Sequence, residues 1–364
     1  MEASYQISGY SRSLRRSRQW WAESDDAGTL PSFATAYNSS QGRTTLEILV
    51  QAIVQTGLPG PVLPVENIQS LGQGSQFNVY KKHIFWFGRP YVNGSGVFAV
   101  KEPRYRLDTD AALDMTDAKT SENIHHIYLE IASLMHPKLR NHPNIIKLYA
   151  WSHEVEDFHG QLALVMELAS TDLATWFQAF EGQLSMIDGL KVLRGVASGL
   201  DALHDCGLIH GDLKPENILL IPENTALVPK LADFGLSMDE TGAETHLGGT
   251  RGWMAPEVES GQSITAEELQ QADNYSYGLL AWATALHSGD VPPQATPETT
   301  RRDTAISELA SVEEEINQDH YEVLQSIFRG TLEVLSCDRP RLLSPLFGDT
   351  AESPERYVQT LPTP

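Results

Sequence analysis

The chain has 364 residues, 41% of them hydrophobic and 20% charged, ordinary proportions for a globular protein with room for a sizeable core. A formal net charge of −22 argues against nucleic acid or an anionic membrane as the main ligand. Two cysteines, Cys206 and Cys337, make neither a disulfide framework nor a zinc site, which predicts a reducing compartment.

Residues 1–43 are rich in Ser, Gly and Arg and are expected to be largely disordered. The basic cluster Arg12, Arg15, Arg16 and Arg18 has no apolar segment behind it, so secretion is not indicated. A solvated tail on a cytoplasmic protein is the expectation, with nuclear import as the alternative use of the cluster. The early run Thr45 to Val65 carries Glu47, Gln51, Gln55 and three prolines, which is too polar and too broken for a membrane span. Within it, Leu46, Ile48, Leu49, Ala52 and Ile53 predict a short amphipathic helix over Thr44 to Gln55.

Next comes Leu71-Gly-Gln-Gly-Ser-Gln-Phe-Asn-Val-Tyr80. Gly72 and Gly74 would let a strand-turn-strand bring backbone N–H groups close to phosphates, although a glycine pair by itself equally suits an ordinary hairpin. Strands are predicted over Tyr80 to Phe87 and Val97 to Val100, with a long Gly-rich turn between them. Lys101 follows the second strand. Asn123 to Met135 predicts a helix with Ile124, Ile127, Ile131 and Leu134 on its buried face and Glu130 at the border of that face. Glu122 would sit at the helix start, where capping is the simpler role. Ile145 to Trp151 and Leu162 to Met166 read as apolar strands, and Leu184 to His204 as a long amphipathic helix.

That helix delivers the chain to Ile209-His-Gly-Asp-Leu-Lys-Pro-Glu-Asn-Ile-Leu-Leu220. An acid, a base two residues on and an amide three further on share one polar loop between apolar flanks. The set can orient a hydroxyl, neutralise a phosphate and hold a hard cation. Sixteen residues after Asn217 stands Asp233-Phe-Gly235, then Gly249-Thr-Arg-Gly-Trp-Met-Ala-Pro-Glu257, Asp273-Asn-Tyr-Ser-Tyr-Gly278 and Cys337-Asp-Arg-Pro340.

In this order the motifs resemble those of eukaryotic protein kinases, Ser/Thr type, and are most similar to tyrosine-kinase-like Ser/Thr kinases. Two positions depart from the family pattern. Phe77 stands where a third glycine is usual, and Gly211 replaces the Arg between His and Asp. The resemblance implies an α+β, two-lobed fold: an N-lobe antiparallel sheet with helix C, a mainly α-helical C-lobe, and ATP in the cleft. It divides the chain into an N-terminal extension (1–64), a kinase domain (65–347, with lobes 65–167 and 168–347) and a C-terminal tail (348–364).

The same resemblance implies that Mg-ATP donates its γ-phosphate to a protein Ser or Thr. Asp212 would orient the attacking hydroxyl, Lys214 would sit on the transferring phosphoryl, and Asn217 and Asp233 would hold Mg2+. Lys101, preceded by Ala99, would pair the α- and β-phosphates and be held by Glu130. Gly72, Gly74, Val79, Met166 and Leu219 would line the nucleotide, backbone groups of Glu167 and Ala169 would meet the adenine edge, and Asp172 would lie near the ribose. Thr250 would bond Asp212 and Lys214, Glu257 would pair with Arg339, and Asp273, opening a helix to Leu286, would brace the catalytic loop. Ser237, Thr241 and Thr245 are available for phosphorylation. The expected partners are ATP and a protein substrate. His-Gly-Asp also occurs in small-molecule phosphotransferases, but these would lack the Ala-Pro-Glu segment and the late Arg. A scaffold pseudokinase would have lost Lys101, Asp212, Asn217 or Asp233.

Overall fold

The computed structural model describes residues 53, 56–60, 62–73, 77–85, 96–104, 118–156, 159–179, 185–223, 226–234, 238–239, 249–261 and 264–348. The expectations for residues 1–43, the turn 88–95, Gly74, the phosphorylatable Ser237, Thr241 and Thr245, and the tail after 348 lie outside them. Two compact units are present: Met1–Arg140 with Lys147–Leu168, and Asn141–Ile146 with Ala169–Pro364.

The first unit is an antiparallel sheet with one long helix. The strands β1 (Leu63–Gln73), β2 (Phe77–Phe85), β3 (Val97–Pro103), β4 (Leu148–Glu156) and β5 (His159–Met166) lie in the order β1-β2-β3-β5-β4. Val62, Val100, Ala150, Ala163 and Val165 bury together on one face. Ile53, the one described residue of the helix expected over Thr44 to Gln55, and Thr56, just past it, are helical and buried. β3 does not end at Val100. It runs to Pro103, and Lys101 pairs with Val79 on one side and Leu164 on the other. A lysine can continue a buried strand here because its ammonium has a carboxylate partner.

Helix α1 (Ala118–Met135) starts five residues before the expected Asn123, which places Glu122 inside the helix rather than at its start. Its interior face holds Ile127, Ile131 and Leu134, each no more than 1% exposed. β4 begins at Leu148, later than expected. Ile145 instead makes an isolated parallel bridge to Leu231, in the second unit.

The second unit is mainly helical. After β6 (Thr171–Asp172) and α2 (Leu173–Ala179), α3 (Met186–His204) starts at Ser185, whose hydroxyl accepts the Asp188 N–H at 3.2 Å. Gly195 and Gly199 let α3 approach closely: a Cβ on Gly195 would lie 2.5 Å from Pro229, and one on Gly199 2.8 Å from the Asn144 carbonyl. β7 (Leu208–Ile209), a 3-10 turn (Pro215–Asn217), β8 (Ile218–Glu223) and β9 (Ala226–Leu231) carry the central loop, and β7 pairs with β10 (Met238–Asp239).

After the short α4 (Pro256–Glu259), α5 (Ala266–Leu286) starts earlier than its expected opening at Asp273. A capping box between Thr265 and Glu268 fixes that start and leaves Asp273 about two turns inside the helix. Tyr277, Leu279, Leu280, Ala281 and Trp282 are fully buried, as suits the apolar second half of this helix. Helices α6 (Arg301–Ser311) and α7 (Gln318–Thr331) follow. The segment from Leu342 is packed through Phe347, the last residue before the expected tail. Leu343 and Phe347 are buried, and the Leu343 and Ser344 amides donate to the Asp201 carboxylate at 2.8 and 2.9 Å.

Candidate active site

In the first unit the ammonium of Lys101 donates to Glu130 Oε1 at 2.6 Å. Glu130 is fully buried and Lys101 is 7% exposed, so the pair is largely withdrawn from water. An ion pair this buried depends on its geometry, since removing either member leaves the other charge uncompensated. Gly72 pairs with Val79 across β1 and β2, and Val79 with Lys101 across β2 and β3, so the glycine strand and the lysine strand flank β2 in one sheet. Ala99 pairs with Met166, and the Glu167 N–H donates to the Lys147 carbonyl at 3.0 Å.

The second unit gathers the polar loop. Asp212 Oδ2 accepts from Lys214 Nζ at 2.6 Å, while Oδ1 accepts from both the hydroxyl and the N–H of Thr250 at 2.7 and 2.8 Å. Lys214 also donates to Thr250 Oγ1 at 2.6 Å. Asn217 Nδ2 reaches back to the Asp212 carbonyl at 2.7 Å. Three residues, the farthest 38 positions away, therefore close on Asp212. The turn at Asp233 is pinned beside them. The Ala232 N–H donates to the Asn217 carbonyl at 3.0 Å, and His210 Nε2 meets the Ala232 carbonyl at 3.1 Å. His210 Nδ1 accepts the Asp212 N–H at 3.3 Å, so the proton belongs on Nε2. Asp233 itself is exposed and holds a φ of +64°, a left-handed conformation uncommon outside glycine and a feature that clusters at functional sites. Phe234 is fully buried, its ring 5.4 Å from that of His210.

Asp273 holds the loop from below. Its Oδ2 accepts the His210 N–H at 2.7 Å and a His204 Nε2 contact at 2.9 Å, and its Oδ1 accepts the Gly211 N–H at 2.9 Å. Burial opposes ionisation of this carboxyl, but the His204 bond, the neighbouring imidazoles and the Gly211 amide outweigh it and hold its pKa below the ordinary aspartate value. Gly211 has a φ of +80°, the region where a side chain is strained. Glu257 and Arg339 form a two-pronged pair at 2.5 and 2.9 Å, and Arg339 also donates to the carbonyls of Glu333, Gln271 and Val334.

Two sequence-derived site residues carry structural bonds of their own. Both oxygens of Asp172 receive bonds from Thr175, at 2.8 and 2.7 Å, which caps the start of α2. Leu219 lies on β8, paired with Asp172 and Lys230. Sequence reasoning missed His204, the third partner of Asp273, because its only signal was its place at the end of an amphipathic helix.

A family model described as protein kinase domain matches residues 66–347. The dual specificity protein kinase zak2 of Dictyostelium discoideum is 27% identical over 218 residues, covering 52% of this chain and 33% of that protein. Serine/threonine-protein kinase RAD53 of Saccharomyces cerevisiae is 30% identical over 199 residues, 53% and 23% of the two chains. A cyclin-dependent kinase 4 homolog of Caenorhabditis elegans is 31% identical over 194 residues, 52% and 43%. The chain spans less than half the length of each of these relatives. It belongs to the protein kinase family.

Proposed function

We propose that the chain is a serine/threonine protein kinase that transfers the γ-phosphate of Mg-ATP to a protein hydroxyl. The observation that carries this reading is the convergence on Asp212 of Lys214 and Thr250, which bond its carboxylate, and of Asn217, which bonds its backbone carbonyl at 2.7 Å and its carboxylate at 3.3 Å. Phosphoryl transfer asks a protein mainly for positioning and for stabilisation of spread negative charge. Asp212 orients the incoming hydroxyl and accepts its proton. Lys214, already neutralised by Asp212, turns to the charge on the transferring group. Thr250 keeps both side chains in place, which suits a short Ser or Thr hydroxyl reaching the carboxylate.

The donor set fits magnesium rather than a softer metal. Asn217 has its amide N–H groups on Asp212, which leaves its amide oxygen as a ligand, and Asp233 offers an exposed carboxylate. Bound magnesium would neutralise phosphate charge. Lys101, held by Glu130, takes the α- and β-phosphates. Backbone groups of Glu167 and Ala169 bind the adenine, with Met166, Val79, Gly72 and Gly74 around the nucleotide.

The test is transfer of labelled phosphate from Mg-ATP to a Ser/Thr peptide library by the wild type, Asp212→Asn and Asp233→Asn. Signal from the wild type alone supports the reading. Equal signal from all three rejects it, as does transfer only to small alcohols.

A further inference from the structure

The position where the kinase glycine pattern has its third glycine carries Phe77, and the strand register determines where that side chain goes. β2 and β3 are antiparallel, with Phe77 opposite Pro103 and Val79 opposite Lys101. Residues two apart on a strand share a face, and diagonal neighbours across a pair of strands lie within reach of aromatic and long side chains. Phe77 and Lys101 are such a diagonal pair. The ring is 5% exposed, and its centroid lies 4.3 Å from Lys101 Nζ. The ammonium is thus held from two directions: Glu130 Oε1 accepts one N–H at 2.6 Å, and the face of Phe77 covers another side. Attraction between an ammonium and an aromatic face strengthens when both are withdrawn from water, as here. A glycine at 77 could supply neither the ring nor the exclusion of water.

We propose that Phe77 is a positioning residue for nucleotide binding: its ring holds the Lys101 ammonium on Glu130 before the phosphates arrive. This rests on the reading of Lys101 as the phosphate-binding lysine. An unrestrained lysine loses rotamer freedom when it binds a phosphate. One already fixed between a carboxylate and a ring loses less, so pre-organisation appears as tighter nucleotide binding. The aromatic face, rather than apolar bulk alone, is the required property, so tyrosine should substitute for phenylalanine and leucine should not.

The experiment compares the full chain as wild type, Phe77→Leu and Phe77→Tyr in two measurements. In the first, trace acetylation by acetic anhydride without nucleotide is read at Lys101 by peptide mass spectrometry. We expect labelling several-fold faster in Phe77→Leu and unchanged in Phe77→Tyr. In the second, Mg-ATP binding by titration calorimetry should weaken about fivefold in Phe77→Leu and be retained in Phe77→Tyr. Equal labelling in all three folded proteins overturns the proposal whatever becomes of the kinase reading. Faster labelling with no ATP binding by the wild type upholds the contact and rejects the phosphate role of Lys101. If Phe77→Leu does not fold, the wild-type NMR spectrum decides: upfield-shifted Lys101 ε-methylene protons support the ring contact, and unshifted ones overturn it.

Discussion

The carboxylate of Asp273, two turns inside helix α5, accepts the backbone N–H of Gly211 at 2.9 Å, and so ties the middle of that helix to the residue before Asp212. The bond reaches a backbone with a φ of +80°, which glycine adopts without strain. The loop conformation is therefore set by a buried carboxylate and a permissive residue. We predict that Gly211→Ala costs about 1–2 kcal/mol of stability, because a Cβ is disfavoured in the left-handed region. Denaturant titration checks this. A shift of the midpoint to lower denaturant is expected, and no shift would mean the loop takes another backbone path.

Acid should act through Asp273. Its folded pKa lies below its unfolded one, so the unfolded chain binds the proton first as pH falls. Stability from this group is fully present above its ordinary value of 3.8 and is lost as pH drops through the depressed folded pKa. We predict that Asp273→Asn costs about 1–3 kcal/mol at neutral pH, since an amide accepts fewer of these bonds. The variant should also lose part of the wild-type dependence of stability on pH below about 4, measured by urea titration across that range. An unchanged acid slope would contradict the assignment.

The pair Glu257–Arg339 predicts a larger effect. The Arg339 side chain is fully buried and serves three backbone carbonyls besides the carboxylate. Arg339→Met should cost about 3–5 kcal/mol by leaving Glu257 and those carbonyls uncompensated. Glu257→Gln and the double variant complete a cycle. A double variant no worse than Arg339→Met is expected, and simple additivity would show that the two side chains act independently.

Gly211, standing where the family pattern has Arg, has no guanidinium to receive a phosphate carried by Thr241 or Thr245. We predict that phosphatase treatment leaves phosphotransfer largely intact. A large loss that maps to Thr241 or Thr245 would sink this idea.

Much of the site is legible in the sequence because the chemistry sets the spacing. Asp212, Lys214 and Asn217 share one loop, and Thr250, Glu257 and Arg339 stand in motifs of fixed composition, so their bonds could be anticipated. Element boundaries were harder to read. β3 continues through Lys101 because Glu130, 29 residues away, makes a buried charge tolerable, and no local pattern announces that. Helix α5 begins at a polar capping box, Thr265 with Glu268, ahead of the apolar run that marks it in the sequence. The role of Phe77 depends on strand register, which places it diagonal to Lys101. The missing guanidinium at Gly211 is legible in the sequence, whereas its φ of +80° is not.

The central claim is transfer to a serine or threonine hydroxyl at Asp212. Its most direct measurement is phosphoamino-acid analysis of a protein substrate mixture after incubation with labelled Mg-ATP, for the wild type and Asp212→Asn. The account predicts phosphoserine or phosphothreonine from the wild type and a loss of at least about a hundredfold in the variant. Phosphotyrosine alone, or equal labelling by both proteins, would contradict it.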